Sequence, residues 1–204
     1  MTDCLAHEFY YRRTAVVARA LVGMRLVRTL VIGGLKSRLS GVIVETEAYG
    51  GRDDPASHAR MGPTHRNSVM FGQVGRAYVY FTYGSHFCVN VSARSPGQPA
   101  GAVLIRALEP ADGIAIMKSN RNLDDLYSLA SGPGKLTGAM GITPALNGVD
   151  MTSSNSELYI ELGAAPRRIV STPRIGINRA TEKHWRFVDP CSLHVSRKVR
   201  IKVR

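Results

Sequence analysis

Cysteine is scarce in this sequence. Three in 204 residues (Cys4, Cys88, Cys191) are an odd count, too few for a disulfide framework, and they predict free thiols in a reducing, intracellular compartment. Tryptophan occurs once, which argues against the aromatic platforms of sugar-binding proteins. Long apolar runs are missing too. No window of membrane-spanning length is free of charged and polar residues, and the start, MTDCLAHEFYYRR, has acids and no apolar core, so neither a membrane partner nor a secretory leader is expected. Acidic residues are the last shortage: Asp+Glu number 15 against 27 Lys+Arg, a net charge of +12. Residues 167–204 alone hold 11 basic and 2 acidic side chains. Such a balance attracts polyanions, and neutralised phosphates release counterions, which favours nucleic acid as partner. Charge alone fits equally a basic surface that only keeps the protein soluble.

What is present reads as a packed domain. The chain is 44% hydrophobic with 20 Gly and 10 Pro, and at this length a fold buries about 70% of its unfolded surface. Thr14 is placed to cap a short helix with Val16, Val17 and Leu21 at helical spacing, ended by Gly23 before a strand over 24–30. Gly33 and Gly34 turn the chain into a strand over 37–49, followed by a polar loop through His65. Gly75 opens RAYVYFTYGSHFCVNVS, a β-hairpin turning at Gly84 and Ser85 with Tyr83 at its tip. A strand over 102–108, helices near 112–120, 124–130 and 133–140, and short strands at 157–162, 168–170 and 193–195 complete the chain. Strands at both ends with helices between, and no repeat or linker, predict one α+β domain over 1–204 on a mainly antiparallel sheet.

Three constellations can carry chemistry. The two-residue period places Glu45, Glu47 and Tyr49 on one strand face, neighbours about 7 Å apart. Paired carboxylates repel, which raises one pKa and makes a general acid or base suited to glycosidic cleavage; the same spacing also suits a solvated face with a packing tyrosine. In the hairpin, Tyr78 and Tyr80 share a face while Tyr83 stands at the turn. Exposed rings beside cationic surface stack on unpaired bases, at about 1–3 kcal/mol each, or wedge between base steps; a tyrosine-rich core strand, Tyr78 above all, is the plainer alternative. Lys135 in SGPGKLTGAM is no phosphate loop, since Leu129 and Leu136 stand where that motif needs Gly and Ser or Thr. Pro133 reads instead as the first residue of a helix whose amides, with Lys135, can hold a backbone phosphate. Cys4 with His7 and Cys191 with His194 have the pair spacing of zinc ligands, but nearly the whole chain separates the pairs, and no metal or other cofactor is expected.

The runs VARALVGMRLV, GVIVETEAYGGRDDPASHA, RNSVMF, AYVYFTYGSHFCVNV, AVLIRALEP and SGPGKL, in this order across residues 10–195, resemble the alkyladenine (3-methyladenine) DNA glycosylase family. The ETEAY block with its later histidine, and the YVYxxYG hairpin followed by Cys-x-Asn, carry most of that resemblance.

The resemblance implies a monomeric, monofunctional base-excision enzyme on a curved antiparallel sheet flanked by helices, acting on duplex DNA that contains a damaged purine. Glu47 matches the general base that activates a water against the deoxyribose C1′. Arg106 matches the arginine that helps hold that water, and the backbone carbonyl of Ile175 falls where a third ligand is supplied. Tyr49, His58 and Tyr80 match the base pocket, and Asn90 the residue whose bulk disfavours the exocyclic amino group of guanine. Tyr83 matches the side chain that fills the space the base leaves. Ser85 departs from the bulky apolar residue frequent after that tyrosine, and His65 from a frequent proline. With no lysine placed as a nucleophile, hydrolysis without strand scission is expected. Two rival readings remain: a carbohydrate hydrolase using Glu45 and Glu47, and a basic nucleic-acid-binding module in which Tyr80 and Tyr83 only stack.

Overall fold

Gly33 and Gly34, both at positive φ (57° and 84°), form the tight turn that folds β1 (Arg25–Ile32) back onto β2 (Leu35–Tyr49). Positive φ at two successive positions is the hairpin geometry that matches strand twist, and glycine adopts it without strain. The computed structural model describes residues 4–82, 86–164 and 166–199. Among these, β3 (Ala77–Thr82), β4 (His86–Ser92), β5 (Ala102–Asp112) and β6 (Leu158–Glu161) join the first two strands in the order β3-β4-β5-β2-β1-β6. Two short strands, β7 (Val170–Thr172) and β8 (Arg186–Val188), pair with each other, and β8 also pairs with β2 beside Glu45, Thr46 and Glu47, where β1 has left it. All the pairings are antiparallel.

Alternation along these strands divides the sheet into two unlike faces. Ala48, Val79, Val89, Val91, Val103 and Ile105 point into the main core. There they meet α2 (Thr14–Leu21), α4 (Ile114–Arg121) and α6 (Pro133–Ala139). Helix α2 contributes Val17, Ala18 and Leu21, and Thr46 ties the sheet to it by donating to the Ala18 carbonyl (2.7 Å). Helix α6 lies so close to β4 that a Cβ at Gly134 would come within 2.8 Å of the His86 Cβ. Three further helical turns, α1 (His7–Tyr10), α3 (Ser68–Phe71) and α5 (Leu126–Leu129), complete an α+β arrangement of a curled antiparallel sheet with helices around it. The intervening residues on the other face, Tyr78, Tyr80, Cys88, Asn90, Leu104 and Arg106, line a cavity, with Tyr78 packed on Met70 of α3.

Several local expectations are corrected. Thr14 does not cap α2: it is the helix's first residue, after Arg13, and its hydroxyl donates to the Ala93 carbonyl (2.9 Å). The strand expected over 168–170 lies at Val170–Thr172, and none forms over 193–195. The strand in that region is Arg186–Val188, because β2 needs a partner there. Over 193–195 Leu193 is exposed while His194 is buried with its ring on Tyr127 (5.2 Å between centroids). The hairpin forms with Thr82 opposite His86; its turn, and with it Tyr83, lies outside the described residues. Among the described residues no helix is long and apolar enough to cross a membrane.

Candidate active site

The site begins with an irregularity in the central strand pair. Between Ile43↔Leu108 and Thr46↔Ile105 the β2–β5 register shifts twice, which leaves Val44 and Arg106 without a directly opposed partner. Such bulges bend a strand and re-aim the side chain that it carries. The Arg106 guanidinium consequently spans both acids: Nε donates to Glu45 Oε1 (3.0 Å) and Nη1 to Glu47 Oε2 (3.2 Å).

The two carboxylates, both fully buried, are held differently. Their burial removes the solvated-face alternative. Glu47 Oε2 also accepts from the Tyr49 hydroxyl (2.8 Å), and Oε1 accepts from the Ile175 amide (2.7 Å). Burial pushes the Glu47 pKa up, and although Arg106, the Ile175 amide and Tyr49 oppose it, the result stays above the ordinary carboxylate range. Glu45 takes Arg186 Nε (2.7 Å) and the Ser196 hydroxyl (2.7 Å) on Oε1 besides Arg106, and the Ser196 amide (2.6 Å) on Oε2. Burial raises its pKa as well, but the hydrogen bond and charge of Arg186, with Arg106 and Ser196, bring it below the ordinary value. The two neighbouring acids are thus shifted in opposite directions.

A cavity of about 400 Å³ lies against this pair, lined among others by Tyr49, His58, Tyr80, Asn90, Arg106 and Ile175. Six residues singled out in the sequence therefore meet on one wall system, although they come from β2, a loop, β3, β4, β5 and a segment near residue 175. Glu47 has no exposed surface and sits directly behind three of these lining residues, to which it is bonded. The Tyr80 ring packs edge-on to His58 (4.7 Å) and tilted to Tyr78 (5.1 Å), with Arg66 over it (5.2 Å). His58 Nδ1 shares a hydrogen bond with the Tyr78 hydroxyl (2.9 Å), and burial, then Arg66, lowers the His58 pKa, which favours the neutral imidazole. Tyr78 is a core residue, as its plainer reading had it, with its hydroxyl pushed up to about 12 by burial. Asn90, opposite Tyr78 in the hairpin, is fixed by donating to the Tyr78 carbonyl (2.9 Å). Lys135 projects from α6 outside the cavity, near the Ser131 hydroxyl (3.5 Å), while Pro133 is the helix's first residue and lines the wall.

Sequence reasoning missed a second buried ion pair. Arg174 holds Asp54 through two hydrogen bonds (2.6 and 2.7 Å), with both side chains fully inaccessible, and donates to the Ala48 carbonyl (2.9 Å). Its guanidinium lies 4.7 Å from the Tyr49 ring centre and 5.4 Å from that of Trp185. This contact backs the Tyr49 ring and seats Ile175, the next residue, against Glu47. An acid in a polar loop and an arginine 120 residues later share no periodicity, so only the RIGI run hinted at that segment. A wider groove of about 750 Å³ opens beside the cavity, sharing His58, Gly176 and Ile177 with it and carrying Arg60, Arg66 and Arg179.

The methylpurine-DNA glycosylase family model matches residues 8–192. The chain belongs to this family. Its members are hydrolases of N-glycosidic bonds, so the protein is an enzyme, and neither the carbohydrate hydrolase nor the purely binding module stands. Relatives bearing the name "Putative 3-methyladenine DNA glycosylase" match over nearly the whole length. One from Methanocella arvoryzae is 51% identical over 198 residues, 95% of this chain and 96% of its own. Others come from Carboxydothermus hydrogenoformans, 48% identical (95% and 99% covered), and Rhodopseudomonas palustris, 48% identical (90% and 83%). The glycosylase chain thus presents a buried acid, an arginine and two tyrosines around one cavity.

Proposed function

We propose that this enzyme extrudes an alkylated or deaminated purine (3-methyladenine, 7-methylguanine, hypoxanthine or ethenoadenine) from duplex DNA and hydrolyses its N-glycosidic bond, with Glu47 as general base. The observation that carries this reading is the donor set of Glu47. Each carboxylate oxygen offers two lone pairs. Oε2 uses both, on Tyr49 and Arg106, whereas among the described residues Oε1 meets only the Ile175 amide and keeps one for a water. Its raised pKa suits proton abstraction, and its charge, once formed, stabilises an oxocarbenium-like transition state. Glu47 has no exposed surface, and Tyr49, Arg106 and Ile175, to which it is hydrogen-bonded, line the adjoining cavity.

Tyr49 and Tyr80 are the rings between which the base would stack, each with a guanidinium over it, and His58 and Asn90 complete the pocket. Extrusion costs a few kcal/mol, least for damaged or poorly paired bases, and stacking offsets it. The Ile175 amide donates to Glu47 Oε1, and its backbone carbonyl remains the proposed third ligand of the attacking water. Lys135 and Tyr83 are the remaining proposed DNA contacts. Single-turnover release of hypoxanthine from a duplex tests the reading. Wild type should release the base, and Glu47→Gln should bind the same duplex while release falls by about 100-fold or more. Equal release by the variant removes Glu47 as the base.

A further inference from the structure

We propose that Glu45 is a positioning residue that fixes Arg106 against the catalytic acid, and that Ser196 and Arg186 make the C-terminal segment part of the active site by holding Glu45. This inference rests on the reading of Glu47 as general base. Arg106 is shared between two carboxylates, and its Nε–Glu45 bond determines which end of the guanidinium faces Glu47. Glu45 cannot itself exchange protons with substrate. It is fully buried and receives four donors, from Arg106, from Arg186, and from the hydroxyl and amide of Ser196. Arg186 is tied in turn to the Thr172 hydroxyl (3.1 Å) and the Arg197 carbonyl (2.6 Å). Ser196 and Arg197 lie beyond residue 192, where the family match ends, so this support is not contained in the matched stretch. Two carboxyl groups and two guanidinium groups are thereby gathered without solvent, and changing one must be felt by the others.

The pH dependence separates positioning from mere structural support. The groups that face Glu47 are Glu45 and Tyr49 from β2, Arg106 from β5, Cys88 from β4, Arg174 and the Ile175 amide from the adjoining segment, and Arg186 opposite it on β8. Glu45 raises the Glu47 pKa, so Glu45→Gln lowers it and moves the acid limb of base release to lower pH. Misaligned Arg106 also slows release by about 10- to 100-fold. In the double variant Glu45→Gln/Arg186→Gln opposite charges leave together, so the limb returns toward its wild-type position while release stays slow. It also leaves less uncompensated charge inside and carries the test where the single variant does not fold.

The experiment is single-turnover hypoxanthine release against pH for the full chain, wild type, Glu47→Gln, Glu45→Gln and the double variant, with duplex binding measured in parallel. Slow release with near wild-type binding and the two opposed shifts supports the proposal. Wild-type rates in the Glu45 variants, or slowed rates with an unmoved limb, overturn it while leaving Glu47 in place. Undiminished release by Glu47→Gln instead overturns the reading on which it rests.

Discussion

Burial raises the Glu47 pKa, and the sign of that effect is testable. A carboxyl whose folded pKa is raised binds its proton more tightly in the native state. Its favourable contribution is complete below the unfolded pKa and is lost as pH rises through the folded value. At neutral pH the Glu47 charge therefore opposes folding, and Glu47→Gln should raise the thermal midpoint by a few °C while abolishing activity, with the gap closing near pH 4. An equal or lower midpoint for the variant at pH 7 would contradict this. Glu45 and Asp54 behave in the opposite sense: with folded pKa values depressed, they support the fold above their unfolded pKa and lose that support as pH falls through the folded one. The period-two spacing of Glu45, Glu47 and Tyr49 was legible in the sequence, as was the alternation of the hairpin tyrosines. Which glutamate has its pKa lowered was not, because Arg186 and Ser196 arrive from about 140 and 150 residues away.

At the scale of elements, the segment around residue 175 has no regular structure, and a buried ion pair seats it. Asp54→Asn leaves the Arg174 guanidinium buried without its counter-charge, a loss of about 3–5 kcal/mol that urea unfolding would measure. Base release should fall in the same variant, because Tyr49 loses its backing and Ile175 its anchor on Glu47. Unchanged unfolding and release would show that the pair supports neither. The sequence marked the strands of the hairpin and most of β5 well, since alternation and turn residues are local signals. Short β7 and β8 were displaced or missed, because strands of three residues form only where a neighbouring strand offers an edge.

At the scale of the molecule, the net charge of +12 is not all on the surface. Arg174 and Arg186, counted within the basic stretch from residue 167 onward, are buried partners of Asp54 and Glu45. The groove with Arg60, Arg66 and Arg179 continues from the cavity, and its arginines give it the charge that attracts phosphates. Arg60→Ala and Arg179→Ala, neither in contact with the base cavity, should each weaken duplex binding and reduce its log–log salt slope by about 1, with little change in release once DNA is bound. A slope that does not move places the DNA elsewhere.

The sequence by itself determined the strand faces, the hairpin, the acid-and-tyrosine cluster and the family, because alternation, turn chemistry and contiguous motifs are written in neighbouring residues. The tertiary structure alone decided in which direction each acid's pKa moves, how one bulged arginine serves two carboxylates, and which basic residues lie inside. Those outcomes depend on burial and on partners brought together from distant parts of the chain, and electrostatic energy in a dry interior responds to distances that sequence order does not contain.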